Sequence, residues 1–146
     1  MTPTQLHATA VAKDWRAVLL LGPPGAGKSD LALALLDRGW LLVADDCTCL
    51  APGADGEPLA FPPPALAGLL EIHGVGLAVR PYIAHVPVEL AIDCASQSDR
   101  MPDFRHLGVI RLLERDVPVL GLQALARSAP LKVEAALLRL REVRSG

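Results

Sequence analysis

Aromatic side chains are nearly missing from this chain. One tyrosine, two phenylalanines and two tryptophans make up 3% of 146 residues, so its core must be aliphatic. A large excess of either charge is missing too: the formal net charge is −2, which excludes a general basic footprint for nucleic acid. No apolar stretch reaches the ~18 residues of a membrane span. The start, MTPTQLHATAVAKDW, has no basic region followed by an apolar core, so it does not read as a secretory signal. Cysteine is scarce: Cys47 and Cys49 form C-x-C and Cys94 stands alone. An odd count without a framework points to reduced thiols and a cytoplasmic setting. The C-x-C pair has no second Cys/His pair at zinc spacing, so it reads as small strand side chains. There is no internal repeat and no low-complexity tract.

What is present is a globular composition, 51% hydrophobic and 21% charged. Its length suits one domain spanning residues 1–146. The most specific feature is residues 22–29, GPPGAGKS, a complete G-x-x-x-x-G-K-[ST] phosphate-binding loop. Gly22, Gly25 and Gly27 lack a Cβ, so the backbone can close on an anion with its amides inward. Pro23, Pro24 and Ala26 complete the loop. Lys28 supplies a point charge for the outer phosphates, and the Ser29 hydroxyl is placed for Mg²⁺. The flanks agree with the motif. Val18–Leu21 is a continuous apolar run suited to a strand buried on both faces. Leu31, Leu35 and Leu36 recur at helical spacing before Gly39, so a helix begins at about Ser29 with its positive end toward the phosphates.

Elsewhere, Leu6–Ala12 and Trp15–Leu21 read as strands joined by a Lys13–Asp14 turn. Trp40–Ala44 reads as a strand ending at Asp45–Asp46. Residues 51–64 read as a proline-rich turn with a short strand around Leu59. Leu66–Ile72 fits strand or helix, and Gly74 and Gly76 mark a bend. Val86–Asp93 alternates as a strand. Residues 95–106 form a polar loop, and Val109–Leu113 with Val117–Leu120 a hairpin around Glu114–Asp116. A final helix is capped by Ser128, has Pro130 in its first turn, and runs to about Val143. The fold class is therefore α/β, a mixed sheet with a phosphate-binding loop and flanking helices.

Phosphoryl transfer needs a phosphate cradle, a divalent cation and a group that handles the acceptor's proton. Asp45 and Asp46 lie where an apolar strand ends, the position of ligands in open α/β sheets. A helix leading straight into a neighbouring strand would bring them beside the loop. Adjacent strand residues point to opposite faces. One acid then faces the acceptor while the other secures the loop or the metal shell. Glu71 lies in the apolar segment LLEI, where an unpaired carboxylate is costly. A metal or cation would relieve that cost, and an outward-facing strand position would equally explain it. His7 matters only if its strand lies beside the Asp45 strand, where a neighbouring cation favours the ionised carboxylate. His73, His85 and His106 have no metal spacing.

Taken together, HATAV, GPPGAGKSDLALALLDRGWLLVADD and LLEIHGVG closely resemble the catalytic domain of HPr serine kinase/phosphorylase. That bacterial regulator phosphorylates a serine of the phosphocarrier HPr. The resemblance is good over residues 7 to about 80 and loose beyond. It implies a P-loop kinase core similar to the HPr kinase and PEP carboxykinase-like type, in the short alphaproteobacterial form without the family's N-terminal domain. It implies ATP and Mg²⁺ as cofactors, an HPr-type phosphocarrier as partner, and a homo-oligomer (a hexamer in longer members). It makes Gly22–Ser29 the nucleotide site, Lys28 essential, and Ser29 and Glu71 Mg²⁺ ligands. Asp45 becomes the base toward the acceptor serine and the acid in phosphorolysis, with His7 beside it. Asp46 is a supporting acid counted with the metal ligands. Counting back from Glu134 puts Arg127 where the family's capture arginine falls.

Three positions depart from the pattern. His73 replaces an arginine, Pro24 replaces a serine, and no P-G-R-N segment precedes the last helix. These departures weigh against phosphorolysis more than against kinase action. Two other readings compete. A small-metabolite kinase needs an arginine-rich lid, and Arg100, Arg105, Arg111 and Arg115 are too dispersed for one. A nucleotide-binding regulator without turnover draws only on the His73 and Pro24 departures.

Overall fold

The structure, a computed structural model, describes residues 4–96 and 100–145. After a two-residue strand β1 (Gln5–Leu6), β2 (Ala8–Lys13) and β3 (Arg16–Leu21) form a hairpin. Lys13 pairs with Arg16, so the loop is Asp14–Trp15, one residue later than expected. Both loop residues have positive φ, 53° and 59°, the conformation that matches a two-residue loop to strand twist. No Gly or Asn marks this turn, so strand pairing alone sets its place. Helix α1 (Lys28–Asp37) and β4 (Leu41–Ala44) follow the phosphate loop.

Next come β5 (Thr48–Pro52) and β6 (Pro58–Phe61). The ambiguous segment resolves as a 3-10 turn at Pro64–Leu66 and a strand, β7 (Leu69–Ile72), which among the described residues pairs only with β8 (Gly76–Val79). β9 (Val86–Asp93) has the expected bounds. β10 (Gly108–Leu112) and β11 (Arg115–Gly121) turn at Leu113–Glu114 rather than at 114–116, again with two positive φ values. In the loop expected over 95–106, residues 97–99 lie outside the described set. Helix α2 (Ala129–Ser145) starts after Ser128 and runs two residues past Val143.

The main sheet runs β1-β5-β6-β9-β3-β2-β4. β9 is shared by two branches: its first residues pair antiparallel with β6 and its last three pair parallel with β11. β3 lies parallel along its other edge. The sheet therefore forks and curls, which buries its central strands on both faces. On one face Val11, Val18, Leu20 and Ile92 pack against Leu31 and Leu35 of α1 and Val133, Leu137 and Leu140 of α2. On the other, Ala10, Ala12, Ala17 and Leu19 meet Leu50, Ala60, Val86, Leu112 and Val117 from the curled strands. Small side chains let the sheet close on itself, and two-sided burial explains the uninterrupted apolar runs.

One topological expectation changes. β4 does not neighbour β3; β2 lies between them, antiparallel to both. The start of β2 therefore sits at the same end as the carboxyl ends of β3, β4 and β9. At the opposite end, Glu134 of α2 ties the helices to the sheet. Its carboxylate accepts from Arg38 (2.6 and 2.9 Å) and from the Trp40 indole N–H (3.0 Å), with Lys13 Nζ 3.6 Å away. Among the described residues no helix is long and apolar enough to cross a membrane.

The hydrogen bond from Arg38 is the main cause that holds the Glu134 carboxyl below its ordinary value of 4.5. A depressed folded-state value means stability present above pH 4.5 and lost as pH falls through the lower value. Glu134→Gln is expected to cost about 1 kcal/mol at neutral pH. The gap from the parent should shrink between about pH 5 and pH 3, measured by urea unfolding across that range.

Candidate active site

The phosphate loop begins where β3 ends. Its glycines take the backbone where other residues go reluctantly: φ is 85° at Gly25 and 95° at Gly27. A Cβ built on Gly27 would sit 2.7 Å from Leu125 Cδ2, so a side chain there meets both strain and a neighbour. Lys28, the first residue of α1, is only 7% exposed, and its ammonium donates to the Gly22 carbonyl. The loop thus folds around its own cation at a helix N-terminus, a ready anion site.

Asp45 follows the last residue of β4. Its Oδ1 accepts from Ser29 Oγ at 2.8 Å and from Thr9 Oγ1 at 2.9 Å, and its Oδ2 accepts from the Glu71 amide at 2.9 Å. Asp46 does not continue the strand. It turns into the left-handed region, φ 65°, so both acids face one cleft instead of opposite faces. Its amide donates to Thr9 Oγ1 at 3.1 Å. Its carboxylate, largely exposed, lies 3.4 Å from His7 Nε2. Among the described residues the ion-pair partner of His7 is thus Asp46, one residue beyond the expected Asp45. The reason is that β2 starts antiparallel to β4, with Ala10 opposite Ala44, which brings residue 7 level with the turn beyond the strand.

The cleft enclosed by these groups has a volume of about 530 Å³. His7, Lys28, Ser29, Asp45, Asp46 and Glu71 line it, with Pro24, Gly25, Gly27, Asp30, His73 and Leu125. Glu71 takes the outward-facing reading: it is exposed on β7 and it lines the cleft. Arg127 does not line it. It lies exposed in the turn before α2, whereas Leu125, two residues earlier, covers the loop. Thr9 and Leu125 escaped the reading of the chain. For Thr9 a signal existed: a hydroxyl among alanines and valines in a buried strand needs a partner. Leu125 carried none.

The donors suit a hard cation, since the Ser29 hydroxyl and the Asp45, Asp46 and Glu71 carboxylates all offer oxygen. Among the described residues no three His, Cys, Asp or Glu side chains form a ready cage. Mg²⁺ is commonly held by one or two carboxylates together with substrate phosphates, so this set fits it. Behind the loop, burial pushes the Cys94 thiol up to about 12, which leaves it inert.

Similarity to known proteins converges on this same region. The family model described as HPr Serine kinase C-terminal domain matches residues 2–81. An HPr kinase/phosphorylase of Bacillus pumilus is 30% identical over 98% of this chain and 50% of its own length. One from Shouchella clausii is 38% identical over 54% of this chain and 29% of its own. The chain thus spans about half the length of the curated relatives it matches, or less. Among solved structures, the Hpr(Ser) kinase/phosphatase from Coxiella burnetii superimposes with a TM-score of 0.83 at 26% identity. That match covers 99% of this chain and 94% of the other.

Gly27→Ala is expected to keep the fold, because Leu125 is exposed and can move aside. It should impose about 1–2 kcal/mol of left-handed strain on the loop. Affinity for a polyphosphate anion should fall about tenfold or more, measured by calorimetric titration with the melting temperature as control.

Proposed function

This chain belongs to the HPr serine kinase C-terminal domain family, and we propose that it is an ATP- and Mg²⁺-dependent protein-serine kinase acting on an HPr-type phosphocarrier in the cytoplasm. The observation that carries this reading is the direct 2.8 Å bond between Ser29 of the phosphate loop and Asp45 of the acid pair. It joins the phosphate cradle to the acid pair within one cleft. On this reading residues 1–146 work as one catalytic domain, and the resemblance adds a homo-oligomer, testable by light scattering.

Bound ATP with Mg²⁺ supplies the phosphoryl group and neutralises its developing charge. The chain does the rest by position. Gly22–Ser29 wrap the phosphates, and Lys28 holds a cation inside that wrap. Ser29 and Glu71 offer oxygens to the metal. Asp45, held by three donors, is fitted to orient the metal side of the cleft. Among the described residues Asp46 is held by its amide and by His7 alone, which leaves its carboxylate open to take the proton of the acceptor hydroxyl. This exchanges the parts that the family resemblance implies for the two acids, and the exchange is part of the proposal. With phosphate as acceptor, the same groups run the reverse phosphorolysis. His73 in place of arginine lessens charge for that reaction. Val75, Leu77 and Val79 are exposed on the hairpin whose other strand carries Glu71. An apolar strip beside the cleft supports a protein acceptor over a metabolite.

Intact-mass detection of one phosphate on a purified HPr-type protein, after incubation with ATP and Mg²⁺, tests the reading; no transfer to any such protein removes it. Lys28→Ala should lower transfer at least about 100-fold, and Arg127→Ala should leave it unchanged. Asp46→Asn should lower kcat by about 10²–10⁴ with nucleotide affinity kept, whereas Asp45→Asn should weaken Mg²⁺-nucleotide binding. If Asp45→Asn instead spares binding and abolishes transfer while Asp46→Asn is mild, Asp45 is the base.

A further inference from the structure

We infer that Thr9 is a positioning residue that sets both acids of the cleft through one hydroxyl. The inference rests on the phosphoryl-transfer reading above and deepens it. Thr9 has no solvent exposure and does not line the cleft, so it acts only through its neighbours. Its Oγ1 donates to Asp45 Oδ1 at 2.9 Å and accepts from the Asp46 amide at 3.1 Å. Donor and acceptor capacity are both used, one on each acid.

The placement depends on an irregularity in the sheet. Along β2 and β4, Val11 faces Leu42 but Ala10 faces Ala44, so Val43 is an extra residue. Without it the regular register would set Thr9 opposite Ala44 and Asp45 opposite Ala8. With it, the next pair beyond Ala10–Ala44 is Thr9–Asp45, as their hydrogen bond records. Bulges of this kind re-aim side chains beside active sites. The strand then ends, and Asp46 enters its left-handed turn with an amide that has lost its ladder partner. The Thr9 hydroxyl takes that amide. It thereby holds the backbone that aims the Asp46 carboxylate toward His7, and through its own proton it fixes the Asp45 carboxylate against Ser29. Neighbouring Ala8 and Ala10 have no group that could do either. Thr48 braces the same strand end by donating from Oγ1 to the Ala8 carbonyl at 2.8 Å.

Thr9→Val keeps the shape and removes both bonds; Thr9→Ser keeps the hydroxyl and loses the methyl. Steady-state transfer from ATP-Mg²⁺ to an HPr-type protein and NMR amide exchange at Asp46 should be measured on both. Thr9→Val should lower kcat about 10–100-fold with the nucleotide KM within about twofold, and Asp46 exchange should quicken. Thr9→Ser should restore both. Wild-type kcat in Thr9→Val, unchanged Asp46 exchange, or a loss in Thr9→Ser equal to that in Thr9→Val would overturn the inference, the last by showing that methyl packing matters instead. Should Thr9→Val fail to fold, Thr9→Ser against Thr9→Ala makes the same comparison. Should the parent protein transfer no phosphate at all, the functional reading fails, and Asp46 exchange alone decides the role of Thr9.

Discussion

The carboxylate of Asp45 is the point on which the site is assembled. Three donors reach it from three separate segments: Ser29 at the head of α1, Thr9 in β2, and the Glu71 amide in β7. Hydrogen bonds to an ionised acceptor are about twice as strong as neutral ones, and here they converge from parts of the chain far apart in sequence. The phosphate loop, the central hairpin and the two-stranded β7–β8 unit are thereby fixed to one another at the cleft. β7 pairs with no strand of the main sheet, so this bond, with the burial of Leu70 against the core, registers Glu71 to the phosphate loop.

Strand β2 carries this arrangement through the molecule. Its first residues stand at the cleft, with His7 just before it and Thr9 within it. At its last residue Lys13 approaches the Glu134 cluster that ties α2 to the sheet. Between the two ends it is buried on both faces, by helices on one and by the curled strands on the other. The cleft and the helix-docking ion pairs thus occupy opposite ends of one strand.

Much of this was legible along the chain. GPPGAGKS states its own conformation, since glycine at 25 and 27 meets a positive φ that other residues resist. The bounds of β9 follow from alternation. The end of an apolar run at Asp45 marks the carboxyl edge of a sheet, where ligands bind. Other features were not legible. The turns at Asp14–Trp15 and Leu113–Glu114 contain no glycine or asparagine, and only strand pairing sets them. β2 does adjoin β4, as the reading of His7 required, but the register that sets His7 level with Asp46 is written in neither strand. Arg127 was placed by counting along a helix, and a count of residues does not say where a turn projects.

The chain by itself determined that a glycine-rich loop joins a buried strand to a helix, because local backbone preference and apolar periodicity act over a few residues. It also determined that two acids end the next apolar run along the chain, with a third in LLEI. Tertiary structure alone decided what holds each of those acids. One extra residue in β4 shifts the pairing by a single step, and a left-handed turn at Asp46 brings both carboxylates to one side. Pairing register is set by the sum of contacts between distant strands, so no local stretch of sequence records it.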